Sequence, residues 1–523
     1  MSRIPNVLSC CALLAVAAAA DFVFAAPTGQ SIEQSVERTM EVFQVPGMAV
    51  SVVRDGSVVY SAGHGVLENG GSAAVDDRTL FQIASVSKAF TAATLALLAD
   101  EDKLDWDDPV IDYLPEFRMH DPWVTREFTI RDLLTHRSGL PLGAGDLLMF
   151  PEGKTTREEI VHAMRYLKPA TSFRSAYAYD NLLYIVAGEV VARVSGLSFD
   201  EFLEQRLLSP LGMGDCSATL GRADPAAAKA TPHVLIEGSL ETTKSGLTAV
   251  GAAAGGINCS ARSMARWRSV VLGEGVTAEG ERLISEAQFA ELLKPATLLP
   301  GRGYLVEHAG SHLSAYALGW NVSTFYGQPS LSHGGALWGM TTFVMILPGQ
   351  DLAVFASGNQ MSAAPRAIVN QLVDEFLQGT TQEAGKDWIE IISDLARSRQ
   401  TEGAEAVAEA AAKRAADSTP SLPLEAYAGT YRDAWYGDIH ITLDEAGRLW
   451  FRSDRNEPLQ GPLEHFQYDT FIARWTDRRL MADAYVSFTL SQECTIERIR
   501  MKAVSPTTDF SYDFHDLDLA RVE

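Results

Sequence analysis

The chain has 523 residues, of which 46% are hydrophobic and 21% charged, and its formal net charge is -24 at pH 7. This composition excludes a disordered or collagen-like chain, and the length allows a core that can shape a deep pocket. Because an acidic surface repels phosphate backbones, nucleic acid is not expected as a partner of this large, soluble, globular protein.

Residues 1–25 have the pattern of an export signal. Arg3 supplies a positive charge, residues 7–20 form an apolar run, and residues 23–25 place small side chains at the cleavage positions. The run is too short to cross a bilayer comfortably, and no later stretch is apolar enough to do so. We expect a secreted or periplasmic protein without an integral membrane span. A buried N-terminal helix and a lipoprotein anchor at Cys10 are weaker alternatives.

A helix and a hairpin are the first elements predicted after the signal. Residues 31–43 place apolar side chains at helical spacing. Residues 48–54 and 57–62 are β-rich runs, and Asp55-Gly56 between them is a strong hairpin signal.

The middle of the chain, from about residue 85 to 300, is mostly helical in pattern. Strand patterns return at residues 341–347 and 352–356. Strands at both ends with helices between them indicate one sheet assembled from the two ends, with a helical region over it.

A domain boundary is predicted where the sheet-forming segments end, within residues 383–423. Residues 383–416 favour a solvated helix, and a Ser- and Pro-rich stretch at 418–423 ends it. Residues 424–523 contain short strand patterns, with a hairpin turn at 444–447. About a hundred residues of this kind predict a small antiparallel sandwich or barrel.

The cysteines left after the signal are Cys216, Cys259 and Cys494. Their odd number allows at most one disulfide, and the pairing is not readable from sequence. With no CxxC motif present, we expect buried thiols that behave as small apolar side chains.

One catalytic pattern stands out, Ser85-Val86-Ser87-Lys88. If a helix begins near Ser85, the spacing of three places Lys88 one turn along on the same face. The hydroxyl then lies at the positive end of the helix, beside an amine that can take its proton. By itself the pattern is weak, since a capping serine beside a surface lysine also produces it. HExxH, P-loop, dinucleotide-binding and GxSxG motifs are absent, so no metal or cofactor is expected.

Other segments agree with this pattern. The chain resembles the serine penicillin-recognising hydrolases of the class C β-lactamase type, which include D-aminopeptidases and D-Ala-D-Ala carboxypeptidases. The matching segments are VPGMAVSVVRDGSVVYSAGHG (45–65), FQIASVSKAF (81–90), LLTHRSGLP (133–141), YDNLLYIVAGEVV (179–191), LLSPLGMGD (207–215), AAGGINCSARSMARW (253–267), ALGW (317–320) and LSHGGALWG (331–339). The resemblance implies an α/β (α+β) fold, an antiparallel sheet with a helical domain.

The resemblance also implies roles for residues near the Ser-x-x-Lys pattern. Ser85 is the acylated nucleophile and Lys88 its proton partner. Tyr179 matches the Tyr of a Tyr-x-Asn motif; its phenol must have its pKa lowered to act as a base, which the Lys88 ammonium would do. Asn181 would hydrogen-bond the substrate's amide. From the residues alone, Tyr177 competes with Tyr179 for the role of base.

His333-Gly334-Gly335 stands where the lactamases carry Lys-Thr-Gly. A histidine is only partly charged near neutral pH, and family members with peptidase or esterase activity commonly show His-x-Gly. These three residues are expected to bind substrate, with Gly335 letting the strand approach it. The resemblance places the oxyanion hole at the backbone N–H groups of Ser85 and Ala336.

The C-terminal part resembles the lipocalin-like domain that follows some of these hydrolases, with a structural or substrate-positioning role. The expected organisation is a signal at 1–25, a β-lactamase-like hydrolase domain at 26–380, a helical linker at 381–423 and a small all-β barrel-like domain at 424–523.

The resulting prediction is an exported serine hydrolase that acts through an acyl-enzyme. Its expected substrates are small amides, peptides (possibly with D-residues) or esters. One alternative is a class C-like β-lactamase; another is a slowly acylating penicillin-binding or sensor module without turnover. His136 is expected to order a loop rather than to act in catalysis. The sequence does not predict the particular substrate or the oligomeric state.

Overall fold

The fold is described from a computed structural model of the chain. It covers residues 26–301, 303–378, 380–381 and 383–522, so the predicted signal at 1–25 lies outside the described residues. The helices are α1 Gly29–Phe43, α2 Ser87–Asp100, α3 Val110–Tyr113, α4 Pro122–Glu127, α5 Ile130–Leu134, α6 Arg157–Ala163, α7 Leu182–Ser195, α8 Phe199–Phe202, α9 Ala261–Leu272, α10 Glu286–Leu293, α11 Gly303–Ala309, α12 Ala364–Leu377 and α13 Trp388–Ala412.

The strands form a central sheet, a C-terminal barrel and two small two-stranded sheets, β3-β6 and β4-β5. They are β1 Gly47–Arg54, β2 Ser57–Gly65, β3 Phe81–Gln82, β4 His233–Ile236, β5 Ser239–Thr242, β6 Asn258–Cys259, β7 Thr297–Leu298, β8 Ala315–Tyr316, β9 Asn321–Phe325, β10 Gln328–Leu337, β11 Met340–Leu347, β12 Leu352–Gly358, β13 Gly429–Asp433, β14 Gly437–Leu443, β15 Leu449–Ser453, β16 Gln460–Gln467, β17 Thr470–Ala473, β18 Ala484–Leu490, β19 Ile496–Ala503 and β20 Leu519–Arg521.

The central sheet joins the two ends of the first domain, as predicted. Its antiparallel order is β2-β1-β12-β11-β10-β9-β8-β7, and Val52 of β1 lies opposite Val354 of β12. The predicted hairpin turn is present: Asp55 and Gly56 both have positive φ, at 49° and 70°, as a type I′ turn requires. Helices α1 and α12 share an apolar cluster with one face of the sheet, while α9 packs against the other.

Helix α2 lies at the centre of the helical region. Residues 87–99 are all buried, which is why the segment, apart from Lys88, has apolar or small side chains on every face. It packs against α7 and against the short helical segment Ala252–Gly256. Among the described helices, no single one is long and apolar enough to cross a membrane, while the pair Leu182–Ser195 and Phe199–Leu208, bent by 76°, passes by length and composition together.

The C-terminal strands form a closed antiparallel barrel rather than a sandwich. Strands β13 to β20 pair in sequence order, and β20 closes the barrel on β13, where Arg521 lies opposite Tyr431. The predicted turn at 444–447 joins β14 to β15. Helix α13 leads into this barrel; Trp388, Ile389 and Ile392 of its first turns are buried and most of the rest is exposed.

None of the three cysteines is the buried free thiol that we expected. Cys216 and Cys259 form a disulfide, with Cα atoms 4.4 Å apart, and Cys494 is free and exposed. The reason is a backbone bridge between Ser217 and Asn258, which brings the neighbouring cysteines together from positions 43 residues apart. Such a pairing depends on tertiary contacts and leaves no trace in the spacing of the cysteines.

Candidate active site

Ser85 lies in a single 3₁₀ turn, Ala84–Val86, that leads directly into α2. The helix was expected to begin near Ser85, and the structure places this tighter turn before the α-helix proper. Ala84 has a positive φ of 48°, a conformation that is strained for a residue with a side chain and is frequent at functional sites. The turn presents Ser85 to a cavity while the helix behind it stays buried.

Lys88 lies beneath Ser85, fully buried. Its Nζ is 2.7 Å from Asn181 Oδ1, 2.8 Å from the Ala254 carbonyl oxygen and 3.2 Å from Ser85 Oγ. Burial lowers the pKa of Lys88 to about 7, although the nearby carboxyls of Asp146 and Asp180 act in the opposite direction.

These three contacts suit a neutral amine at Lys88. The Asn181 and Ala254 oxygens can only accept, so they take up two N–H groups of the amine. A neutral amine then has its lone pair left for the Ser85 hydroxyl, which can donate. The arrangement can therefore remove a proton from Ser85.

Tyr179 lies over Lys88, with its ring centroid 4.7 Å from Nζ. Its Oη is buried and makes no hydrogen bond of standard geometry within the described part of the chain. Burial raises the pKa of Tyr179 well above its ordinary value, and the nearby Ser85 hydroxyl offsets this only in part. The expectation that the Tyr179 pKa is lowered is therefore wrong, because burial of the phenol outweighs the contribution of the Ser85 hydroxyl.

His136 orders the loop that carries Tyr179. Its Nδ1 accepts the N–H of Asp180 at 3.1 Å, and its ring centroid lies 4.2 Å from that of Tyr179. Tyr177 also lines the cavity, but its ring stands against His136 and Tyr316 at 5.8 and 6.1 Å. The stacking over Lys88 distinguishes Tyr179 from Tyr177.

Strand β10 forms the opposite wall with His333, Gly334, Gly335 and Ala336. A Cβ atom at Gly335 would lie 2.4 Å from the Ile83 carbonyl oxygen, so only glycine fits there. The close approach is thus to the turn that carries the nucleophile. It brings β10 and Ser85 to the same cavity.

His333 is engaged through both ring nitrogens. Nδ1 lies 2.7 Å from the Gly334 carbonyl oxygen and Nε2 lies 2.9 Å from Tyr316 Oη. Since a carbonyl only accepts, Nδ1 carries a proton, and the Tyr316 hydroxyl can donate to Nε2. This pattern suits a neutral imidazole held by the protein, unlike the fixed charge of a lysine.

The cavity has a volume of about 690 Å³. Every predicted site residue lines it except Lys88, which contacts Ser85 from below. Asn181 uses its amide within the protein: Oδ1 accepts from Lys88 and Nδ2 donates to Asp146 Oδ2 at 2.8 Å. Within the described residues, one Nδ2 proton and one lone pair of Oδ1 of Asn181 are left for a substrate. Apolar side chains in the walls include Leu142, Met149, Phe150, Leu247, Trp338 and Phe343.

Arg366 is a lining residue that the sequence analysis missed. It lies on α12, its Nη1 donates to Tyr304 Oη at 3.0 Å, and its guanidinium stands 4.4 Å from the centroid of Phe343. It reaches the cavity beside Gly334. No motif surrounds it, and only the packing of α12 on the sheet brings it to the site.

The barrel domain supplies a third wall, which the sequence analysis also missed. Asp509, Phe510 and Ser511 line the cavity, and the Phe510 ring meets the Tyr179 ring edge to face at 5.9 Å. Asp513 accepts the N–H groups of Gly145 and Leu147 at 2.6 and 3.1 Å. Residues 509–513, which we call the barrel strap, therefore complete the site.

A helix-flanked antiparallel sheet with a serine hydroxyl and a buried lysine amine at its edge defines the class of serine hydrolases related to β-lactamases. The chain belongs to the Beta-lactamase family, whose model matches residues 23–378, more than half of its length. A second model, Domain of unknown function (DUF3471), matches residues 413–521.

Relatives and solved structures agree with this assignment. The chain is 28% identical to Unguisins hydrolase ungD' of Aspergillus campestris over 86% of this chain and 85% of that protein. It is 28% identical to Penicillin-binding protein 4 of Amycolatopsis lactamdurans over 64% of this chain and 86% of that protein. An octameric penicillin-binding protein homologue from Pyrococcus abyssi has the same fold, with a TM-score of 0.60 and 20% identity over 94% of this chain and 99% of that one. The family and the fold class predicted from the sequence are both confirmed.

Proposed function

We propose that the protein hydrolyses small amide, peptide or ester substrates through an acyl-enzyme on Ser85. The observation that carries this proposal is the set of Lys88 contacts, in which two carbonyl oxygens hold the amine and Ser85 Oγ takes the third position. The hydrolase name of a fungal relative that matches most of the chain gives further support.

In the proposed acylation step, Ser85 Oγ forms a bond to the substrate's carbonyl carbon while its proton passes to the Lys88 lone pair. The carbonyl oxygen becomes an oxyanion, for which the backbone N–H groups of Ser85 and Ala336 are the proposed donors. When the tetrahedral intermediate collapses, the bond to the leaving group breaks. That group takes the proton from Lys88, with the neutral Tyr179 phenol placed to relay it.

In the proposed deacylation step, a water molecule attacks the acyl-enzyme carbonyl and gives its proton to the Lys88 amine. Collapse of the second intermediate breaks the bond to Ser85 Oγ, which regains its proton. The cycle needs a neutral Lys88 at the start of each half, and a pKa of about 7 provides that form near neutral pH.

Substrates with an apolar side chain and a carboxylate fit the cavity best. Leu142, Phe150 and Trp338 offer apolar walls, and Arg366 offers a guanidinium. Arginine pairs with carboxylates in two-pronged geometry. Since the imidazole of His333 is already held by Tyr316 and Gly334, Arg366 is our proposed carboxylate anchor.

We further propose that the protein works outside the cytoplasm. The apolar run at 7–20 supports an export signal. The disulfide between Cys216 and Cys259 supports an oxidising compartment, where such bonds form and persist. Cell fractionation with an antibody to the protein tests this, and a wholly cytoplasmic pool would contradict it.

The test of function is a substrate panel of D- and L-aminoacyl amides, D-Ala-D-Ala peptides, p-nitrophenyl esters and nitrocefin. Ser85→Ala is expected to lower turnover at least about a thousandfold, because it removes the nucleophile. Ser87→Ala is the matched control: this buried hydroxyl accepts the Ile257 N–H at 3.2 Å, and Ser87 is not among the residues that line the cavity.

Full turnover by Ser85→Ala would exclude the proposal. Nitrocefin as the preferred substrate would instead identify a β-lactamase. Stable labelling by fluorescent penicillin without hydrolysis of any substrate would identify a sensor.

A further inference from the structure

We propose that Asp146 and Ser511 are positioning residues for Lys88, and that the barrel domain thereby sets the geometry of the catalytic amine. The inference rests on the proposed function, because it assigns a role toward the base of that reaction. Its basis is a chain of hydrogen bonds that runs from Ser511 through Asp146 and Asn181 to Lys88.

Asn181 is the middle link, and its amide can be placed in two ways. Its Oδ1 must face Lys88, because an NH₂ group there could not accept the 2.7 Å hydrogen bond from Nζ. That orientation needs an acceptor at Nδ2. The buried Oδ2 of Asp146 provides it at 2.8 Å.

Asp146 is in turn held by the barrel. Ser511 Oγ donates to its Oδ2 at 2.9 Å, across 365 residues of sequence. The N–H groups of Gly145 and Leu147, on either side of Asp146, both donate to Asp513. The barrel strap therefore binds the turn that carries Asp146 in two ways: it accepts hydrogen bonds from the backbone of that turn, and it donates one to the Asp146 side chain.

No other described group makes a hydrogen bond to the Asp146 carboxyl. Its Oδ1 is buried and has no hydrogen-bond partner among the residues that the structure describes. A buried carboxyl held on one oxygen only depends strongly on those contacts. Substitution of the Ser511 or Asp146 side chain should therefore disturb the position of the Lys88 amine, although neither residue contacts Ser85.

The charged and titratable groups that face Asp146 come from several elements: Lys88, Tyr179, Asp180 and Asp513. Burial raises the pKa of Asp146 to about 8. Near pH 7, where the Lys88 amine titrates, the Asp146 carboxyl is therefore mostly protonated and carries little charge. The acid limb of the pH–rate profile should then depend little on Asp146, whose role is to accept the hydrogen bond from Asn181 Nδ2.

The experiment measures kcat and kcat/KM against pH for p-nitrophenyl acetate in the full chain. Asp146→Leu removes the acceptor and is expected to lower kcat about a hundredfold, because the Asn181 amide can turn its NH₂ toward Lys88. Asp146→Asn keeps an acceptor: we expect kcat within about fivefold of the starting protein and an acid limb at nearly the same pH, because the carboxyl that it replaces is mostly neutral there.

Ser511→Ala tests the contribution of the barrel. It is expected to lower kcat about fivefold, and Ser511→Thr, which keeps the hydroxyl, to restore most of it. Ser487→Ala is the matched control, since this barrel serine has a comparable 2.9 Å contact, to Thr470, within the barrel wall. We expect it to leave kcat and the profile unchanged. A thermal melt of each variant confirms that it is folded.

Two outcomes would overturn the proposal. In the first, Ser511→Ala and Asp146→Leu behave like Ser487→Ala. In the second, Asp146→Asn loses as much activity as Asp146→Leu, as a purely structural role would give. A chain without Ser85-dependent hydrolysis would instead defeat the proposed function, which the Ser85→Ala comparison reveals separately.

Discussion

Two of the walls of the cavity, the one with Ser85 and the one formed by the barrel strap, are built in different ways. The wall that carries Ser85 and Lys88 comes from one short motif at the start of α2, in which a spacing of three residues sets the contact between hydroxyl and amine. The barrel strap meets its partner Asp146 across 365 residues. Reacting groups here are set by local helix geometry, whereas the groups that shape and orient the site arrive through packing of a second domain.

This contrast predicts a division of effect. Changes in the motif should lower the rate for every substrate, because they remove groups that take part in bond making. Changes in lining residues should depend on the substrate, because they remove contacts that only some substrates make.

The largest effect after loss of the nucleophile is expected at Lys88. Lys88→Met should lower kcat about a thousandfold or more, because the general base is lost. Lys88→Arg should be nearly as poor, since a guanidinium keeps the charge but does not deprotonate near neutral pH. The measurement is single-turnover acylation by a p-nitrophenyl ester.

The pH profile of the unmodified protein is the control for that prediction. With Lys88 as base, kcat/KM should fall as pH drops through about 7, the pKa that burial gives this amine. An active Lys88→Arg variant, or a profile that is flat across neutral pH, would assign the base to another group and remove the contrast between the two walls.

The sequence predicts the parts of this molecule that follow from local pattern. The hairpin at Asp55-Gly56 and the contact between Ser85 and Lys88 depend on turn chemistry and helical spacing, which are visible in the residues themselves. The direction of the Tyr179 pKa shift was predicted wrongly because it depends on burial, which no spacing reveals. The disulfide of Cys216 was missed for a similar reason: an isolated backbone bridge brings its two halves together.

Arg366 tests the substrate-dependent side of the contrast. Arg366→Leu should raise KM about tenfold or more for peptides with a free carboxylate, because a charge-assisted pair is lost. For the corresponding peptide amides, the KM of this variant should be close to that of the starting protein. Steady-state kinetics on matched acid and amide pairs gives the measurement, and an equal loss for both members would mean that Arg366 supports the sheet rather than the substrate.

The smallest effect is expected at Phe510, the apolar part of the barrel strap. Its ring faces Tyr179 at 5.9 Å and is 38% exposed, so a bulky substrate can cover it further. Phe510→Ala should raise KM about threefold to tenfold for esters with long or aromatic acyl groups, since apolar contact is lost. For p-nitrophenyl acetate, which is too short to reach the ring, kcat/KM should hardly change.

Tyr468→Ala is the matched control for Phe510→Ala, because Tyr468 is another exposed barrel aromatic, at 61%, and lies outside the cavity lining. This variant should change the kinetic constants neither for the long or aromatic esters nor for p-nitrophenyl acetate. If Phe510→Ala lowers kcat for acetate and long-chain esters alike, then Phe510 acts by holding Tyr179 in place. In that case the barrel strap would affect the chemical step as the Ser85 and Lys88 wall does, and the proposed difference between the two walls would be wrong.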